Sequence, residues 1–502
     1  MRTPRRSPAW PARALALALA LLLPAAALAS NVRVTHDYQY TYTYDYWANL
    51  RHSPDAYRVA KVFSAMDLGL PRRLITPASL FVRGDTLFIC DTGNNRILEL
   101  RREGADFALV RVIDRFTGGN GPHTFSQPQD VFQMPNGDLF IADTMNQRVL
   151  KLDRDLNLLL TMTKPSDETF DQNLAFLPER LVADSTGRAF VLVHNVNKGL
   201  TRFESDGRFT GFVGAMQVIY SIADQVWRLL STRAQRSRQA NFVPTEFDNV
   251  YIDRGGFIYS VTTTFQEYDL IWDRARPIRK LNAMGQDILV KNGEYPPIGD
   301  LDWSQVAGYN GPSRFSDITV LDNDVYVALD RTRGRLFGYD DQGRNLWVFG
   351  GAGNMDGFFR SAVSIEHMGY DLLVLDALEG TVTVFEPTEY GRLIYEATER
   401  YQRGEYAQSA ESWNEVLKFN GNYELAYVGV GRALLRERRY EEAMRWFKLA
   451  NDEDNYSRAF QEYRKIWVEG NIGWIAAVLG AALLVPLVIS KFRSMRREVE
   501  QA

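Results

Sequence analysis

Residues 91–97 read DTGNNRI, placing Asp91, Asn94 and Arg96 within six positions of one another. A carboxylate, an amide and a guanidinium so spaced can do two kinds of chemistry. They can converge on a substrate as acid, orienter and anion anchor, or they can satisfy one another through charge-assisted hydrogen bonds at a chain corner. Repetition separates the two, because an active site is normally unique and a corner recurs with its structural unit. Residues 143–149 read DTMNQRV, so Asp143, Asn146 and Arg148 repeat the set 52 positions later, and the surrounding runs 77–100 and 128–152 align around them. The recurrence favours the corner.

Weaker copies start near 178, 247, 315 and 361 and decay to HNVNKGL, DRTRGRL and DALEGTV at the same point, giving six units. Each unit alternates short β-rich runs with the turn signals PNG, STG, RGG, SDG and DQG, which suits antiparallel four-stranded sheets. Six of them imply a mainly β protein, a six-bladed β-propeller. On the strength of DTGNNRI the chain resembles the NHL-repeat propellers. The sixth unit supplies three strands and ends near Glu386, while Tyr57–Phe63 reads as a lone strand ahead of the first unit. Pairing them closes the ring and removes an open edge. The propeller is thereby expected over 57–390, with 57–63 as its closing strand.

Other residues bear on catalysis. The resemblance to NHL-like propellers brings lyases into view, and six-bladed relatives include lactonases that hold metals in the central channel. Such a site needs several inward His or carboxylate ligands from different blades. Of five histidines, His36 and His52 precede the propeller, His367 falls at a tight turn, and His123 and His194 are the metal-ligand candidates. Asp130, Glu179, Asp248 and Asp317 recur early in the first strands and could line a channel mouth, with Ca²⁺ or a transition metal as the conceivable ion. No nucleophile motif such as G-x-S-x-G is present. A cofactor-free, non-catalytic protein is the expectation, and a metal-dependent lyase or lactonase is the alternative.

Strand parity sorts the connections. The tight turns fall on one face of the ring, and the long insertions 114–127, 214–244, 263–276, 292–314 and 350–360 fall on the other. A decorated face on a rigid scaffold is where binding residues are expected. The segment MQVIYSIADQVWRLLSTRAQRSRQ reads as an amphipathic helix ending in Arg233, Arg236 and Arg238. Trp227, Tyr268, Trp272 and Trp303 also lie in insertions, where rings beside guanidinium groups can stack on a sugar or anchor a protein. Trp227, Tyr268, Trp272, Trp303, Arg233 and Arg236 are therefore the candidate ligand-binding residues.

The flanks place the protein. The chain starts MRTPRRSPAWPARALALALALLLPAAALAS, with Arg2, Arg5, Arg6 and Arg13 before an apolar run and Ala27-Leu28-Ala29 as a cleavage pattern, an expected signal peptide over 1–29. A Tyr-rich extension follows over 30–56, in which Tyr38, Tyr40, Tyr42, Tyr44 and Tyr46 alternate. As a strand they share one face, expected to lie along the propeller flank with hydroxyls in water.

Over 391–468 the apolar period becomes helical. Gly404, Tyr406, Ser409 and Trp413 are matched 34 positions later by Arg438, Tyr440, Ala443 and Phe447, a spacing that resembles tetratricopeptide repeats. Such a module implies protein contacts or serves as a stalk.

Ile472–Ser490 carries no charge and spans about 28 Å as a helix, enough to cross a membrane. Lys491, Arg493, Arg496 and Arg497 follow it in the tail 491–502, so the C-terminus is expected in the cytoplasm and the propeller outside. With 58 basic and 62 acidic residues, the net charge of −4 offers no reason to expect nucleic acid. The single Cys90 lies in an apolar strand, as a buried inert thiol would. The expected function is a membrane-anchored extracytoplasmic binding or scaffold protein. Resemblance to bacterial anchored propellers implies an envelope-complex or carbohydrate-uptake partner, or a carbohydrate ligand.

Overall fold

The computed structural model describes residues 41–47, 49–214, 247–265, 269–270, 275–291, 296–301 and 311–500. The expected signal peptide, residues 30–40 and 48 of the Tyr-rich extension and all six candidate ligand-binding residues lie outside them.

Six antiparallel sheets occur in chain order. Their first strands are Ser79–Arg83, Pro128–Gln133, Pro178–Ala183, Asn249–Ile252, Phe315–Val320 and Ala362–Met368. Each first strand packs against the first strand of the next sheet, and the sixth packs against the first, so the strands form a closed inner ring. This is a six-bladed propeller. The sixth blade is completed by Tyr57–Ser64, which pairs with Thr381–Pro387 in a register running from Ser64 opposite Thr381 to Tyr57 opposite Pro387.

Second strands read as unbroken apolar runs because neighbouring blades cover both of their faces. Leu87, Phe88, Ile89 and Cys90 are all fully buried. The turns that follow the first strands need a left-handed residue. Gly187 supplies it at φ +84°, and Gly343 in a second turn sits so close to the Val290 carbonyl that a Cβ would approach it to 2.6 Å.

The alternating tyrosines extend blade 5. Tyr42–Tyr44 and Leu50–His52 form a hairpin on the outer strand Asn345–Gly350. The Tyr42 and Tyr44 hydroxyls are not in water as expected. Asp300, from a buried loop segment, accepts the Tyr42 hydroxyl at 2.8 Å and the Tyr44 hydroxyl, and also pairs with Arg335. A buried carboxylate needs such donors, and the phenols supply them.

Five helices follow: α1 (Glu389–Gln402), α2 (Tyr406–Phe419), α3 (Glu424–Arg436), α4 (Tyr440–Leu449) and α5 (Glu453–Glu500). Thr388 caps α1 by accepting from the Gly391 amide. The Trp413 ring lies where a Cβ at Gly429 would be, and Phe447 does the same at Gly431, so small residues on α3 let α2 and α4 approach. The module shares one core with blades 5 and 6. It sits on the tight-turn face: Tyr395 stacks on Tyr370 and meets the Tyr57 hydroxyl at 2.6 Å, Gln402 donates to the Asn323 carbonyl, and Tyr423 donates to the Leu346 carbonyl.

The expected break between a last module helix and a separate apolar segment does not occur. Helix α5 runs unbroken through both, because Gly470 and Gly473 lower helix propensity without ending a helix and Pro486 lies within an apolar run. It is the one described helix long and apolar enough to cross a membrane, and its apolar window is unburied.

Candidate functional site

The propeller axis holds a cavity of about 530 Å³, lined by the first strands of all six blades and opening between the tight turns. Its geometry follows from one register. In four blades the first strand carries a bulge just before its third residue, as at Pro128/Asp130, Pro178/Arg180, Phe315/Asp317 and Ala362/Ser364. A bulge re-aims the following side chain. The six residues at this position are Ser79, Asp130, Arg180, Asn249, Asp317 and Ser364, one per blade.

This polar ring stitches the blades. Asp130 accepts from the amides of Val131 in its own blade and Leu181 in the next, at 3.0 and 2.8 Å. Asp317 accepts from Ile318 and from Ile365 of the next blade, both at 2.7 Å, and from the Asn249 amide group at 2.6 Å. Ser364 accepts from the Leu80 amide across the seam that closes the ring. Arg180 reaches from blade 3 to the Ala78 carbonyl of blade 1, covering the end of the cavity nearest the insertions. Burial pushes Asp130 and Asp317 up to about 6, with Arg180 opposing the shift.

Two residues further along, Phe81, Phe132, Val182, Tyr251, Thr319 and Glu366 occupy the next level. Glu366 is buried, and burial together with the Asp317 carboxyl raises its pKa well above the ordinary range. Its oxygens accept from the Val82 backbone amide and receive longer contacts of 3.3 Å from the Thr319 hydroxyl and the His367 amide. His367 is not at a turn as expected. The strand Ala362–Met368 runs on past it, and its Nδ1 meets the Thr319 hydroxyl at 2.7 Å. Burial lowers its pKa to about 4, so the ring is neutral near pH 7. At the mouth, the Arg83 guanidinium lies 5.5 Å from both the Phe81 and the Phe132 ring centroids and donates to the Gln133 carbonyl.

Of the four acids taken together from the sequence, Asp130 and Asp317 enter the ring. Glu179 and Asp248 lie one residue earlier than the ring position. Glu179 pairs with His194 at 2.9 Å, and Asp248 accepts from Thr263. His123 is exposed against Phe116 with its Nε2 3.4 Å from the Gly119 carbonyl. Among the described residues no three His, Cys, Asp or Glu side chains gather as metal ligands would.

The repeated corner residues sit away from the axis, at the link between second and third strands. Asp143 accepts from the Ser126 amide at 2.7 Å, the Asn146 amide group at 2.9 Å and Arg148 Nε at 2.8 Å. Asp91 is matched contact for contact by Ile75, Asn94 and Arg96 at 2.8, 2.8 and 2.7 Å. Both arginines continue to carbonyls of the preceding loop. Thr92 and Thr144 donate to the first proline of the next blade's inner strand, at 2.7 and 2.6 Å. In the degenerate blades Asp330 and Asp376 keep the grip on the entering chain, accepting from Arg314 and Arg360 amides at 3.0 and 2.6 Å. The Asn is lost in both; the Arg is lost in blade 6, while in blade 5 Arg335 keeps the position but pairs with Asp300.

No family model matches the chain, and no curated protein matches it. Among solved structures it is similar to a catalytically inactive virginiamycin B lyase from Staphylococcus aureus determined with quinupristin, at 11% identity and TM-score 0.37 over 63% of this chain and 82% of that one. It is also similar to a protein of unknown function from Bacteroides thetaiotaomicron, at 10% identity and TM-score 0.40 over 70% and 76% of the two chains. A putative gluconolactonase matches at 9% identity and TM-score 0.39 over 67% and 94%. At these values they assign no activity to this chain.

Proposed function

We propose that the chain is an NHL-type propeller anchored in a membrane by α5, with the propeller and a tetratricopeptide-like module outside, and that it binds a protein or carbohydrate partner. The observation that carries this reading is the single unbroken helix that packs on α4 through Ala459 and continues through the uncharged run Ile472–Ser490 to the cations Lys491–Arg497. The module occupies the tight-turn face of blades 5 and 6, so among the described residues α1–α4 leave the insertion-bearing face to a partner. There Trp227, Tyr268, Trp272, Trp303, Arg233 and Arg236 are the proposed contacts, and an envelope complex or carbohydrate-uptake machinery is the proposed partner.

The topology is testable because the only native thiol, Cys90, is fully buried. Ser457→Cys and Ser494→Cys place single exposed thiols before and after the span. In intact cells a membrane-impermeant maleimide should label the first and reach the second only after lysis. The reverse pattern, or equal labelling of both, overturns the proposed orientation. For the binding face, a species crosslinked by wild type in intact cells should be lost from a Trp227→Ala, Trp303→Ala double variant.

A further inference from the structure

Helix α5 leaves the module with one side against α4, where Ala459 is fully buried, and a neighbouring side uncovered. On that uncovered side Tyr456, Phe460, Tyr463, Trp467, Gly470 and Trp474 follow one another at alternating steps of four and three. The same steps continue through Ala477 and Ala481 to Leu484 and Val488. No charge falls on this seam, although Arg458, Glu462, Arg464, Lys465 and Glu469 are interleaved with its first half. An apolar spacing of four and three held over the whole of 456–488 is the pattern of a helix that coils around another helix. Tyr456, Phe460, Trp467 and Trp474 are 37, 44, 47 and 67% exposed, so the other helix is not part of this chain's fold.

Lipid does not cover the upper half of the seam. Phe460 stands about 18 Å before Ile472, where the uncharged run begins, well beyond a headgroup layer of roughly 5–8 Å. The cover must itself cross from water into lipid. We propose that it is α5 of a second copy, paired in parallel, so that the chain is a dimer joined along this seam. The inference rests on the anchoring proposed above, which inserts every copy in one orientation and sets their seams at the same height. Like residues then meet at each level, ring against ring at Phe460, Trp467 and Trp474. Gly470, Ala477 and Ala481 let the backbones approach where lipid leaves packing to hold them. Of the flanking positions 457, 459, 464, 466, 471 and 473, only Arg464 is charged, so parallel copies set no like charges against each other.

The test is disulfide trapping of the full chain in membranes of the expressing cells, where the buried Cys90 stays silent. A Cβ at Gly470 meets nothing, so Gly470→Cys puts a thiol on the seam without disturbing the fold, and Lys465→Cys puts one on the opposite side of the helix. Under copper phenanthroline, Gly470→Cys should yield a disulfide dimer of twice the chain's mass, and Lys465→Cys at least about tenfold less. Adding Trp467→Glu to Gly470→Cys should lower the trapped fraction at least about threefold, because it sets two carboxylates together in the seam. Equal trapping at both positions, none at Gly470, an adduct of any other mass, or a yield that Trp467→Glu leaves unchanged each overturns the proposal. Alkaline carbonate extraction of the same membranes separates pairing from anchoring. A chain that stays in the pellet without a Gly470 dimer overturns the pairing alone, whereas a chain released to the supernatant overturns the anchoring and the pairing with it.

Discussion

Replacing Asp143 by Ala removes a fully buried carboxylate that three donors share: the Ser126 amide, Asn146 Nδ2 and Arg148 Nε. The Arg148 side chain is 9% exposed and lies 5.2 Å over the Phe116 ring, so it has little access to water once its partner is gone. Breaking a buried pair by deleting one member costs roughly 3–5 kcal/mol, most of it from the uncompensated charge. At about 2.1 cal/mol/K per residue, a propeller of roughly 330 residues unfolds with an entropy near 0.7 kcal/mol/K, so about 4 kcal/mol lowers the Tm by about 6 °C. Calorimetry of the detergent-solubilised full chain reads this directly. The double variant Asp143→Ala, Arg148→Met separates the charge from the packing: removing both partners should restore about half of the loss, because the methionine keeps contact with Phe116 without a charge. A single-variant loss below about 1 kcal/mol, or a double variant that melts at the sum of the two singles, refutes the claim that this corner is a coupled structural pair.

Asp130 and Asp317 titrate near 6 in the folded chain against an ordinary 3.8, so the folded state holds their protons more firmly than the unfolded one. Their contribution to stability therefore falls as pH rises from about 4 to 6 and is flat above, by up to about 3 kcal/mol each. Asp130→Asn should flatten that part of the denaturation-midpoint profile, and an unchanged slope contradicts the assignment. Trp413→Ala empties the space between α2 and Gly429 and should cost the helical module about 3–5 kcal/mol, seen as faster proteolysis within 389–452 while the propeller resists. Tyr423→Phe leaves the Leu346 carbonyl without its donor and should loosen the module from blade 5 by about 1–3 kcal/mol, measurable by hydrogen exchange in α3. Burial pushes the Cys90 thiol up, so it should stay unreactive toward a maleimide under native conditions and react fully once the chain is denatured; native labelling would contradict its placement.

The ring was legible because its signals are local. Each first-to-second-strand turn needs a Gly or Asn within two to five residues, and the second strand is apolar on both faces, so the unit can be read without knowing its neighbours. The corner was legible for the same reason: Asp143, Asn146 and Arg148 fall within one turn of chain, and their partners lie in the segment just before the blade. Features that depend on distant segments were not. Nothing near Tyr42 announces Asp300, 258 residues away, yet that carboxylate decides that the tyrosines are buried. Nor do Gly470 and Gly473 reveal whether a helix ends or continues, since the outcome rests on the residues of both flanks.

The axial site was only partly legible, through Asp130 and Asp317, and the reason is geometric. Its residues recur once per blade, but insertions stretch the intervals from 47 residues, between Asp317 and Ser364, to 69, between Arg180 and Asn249. An acid one position before the ring residue, such as Glu179 or Asp248, lies off the axial ring, while one at the ring position, such as Asp130 or Asp317, lines the cavity. A one-residue error in aligning the blades therefore exchanges channel residues for rim residues. Counting forward from the bulge removes the ambiguity: the third position gives the stitching ring and the fifth gives the wall. Only one fifth-position residue, Glu366, is a carboxylic acid, and it lies one blade beyond Asp317, whose charge helps keep it protonated. The two levels thus divide the labour: the ring spends its polar groups on closing the propeller, and the level beyond it sets one buried carboxyl among aromatic rings.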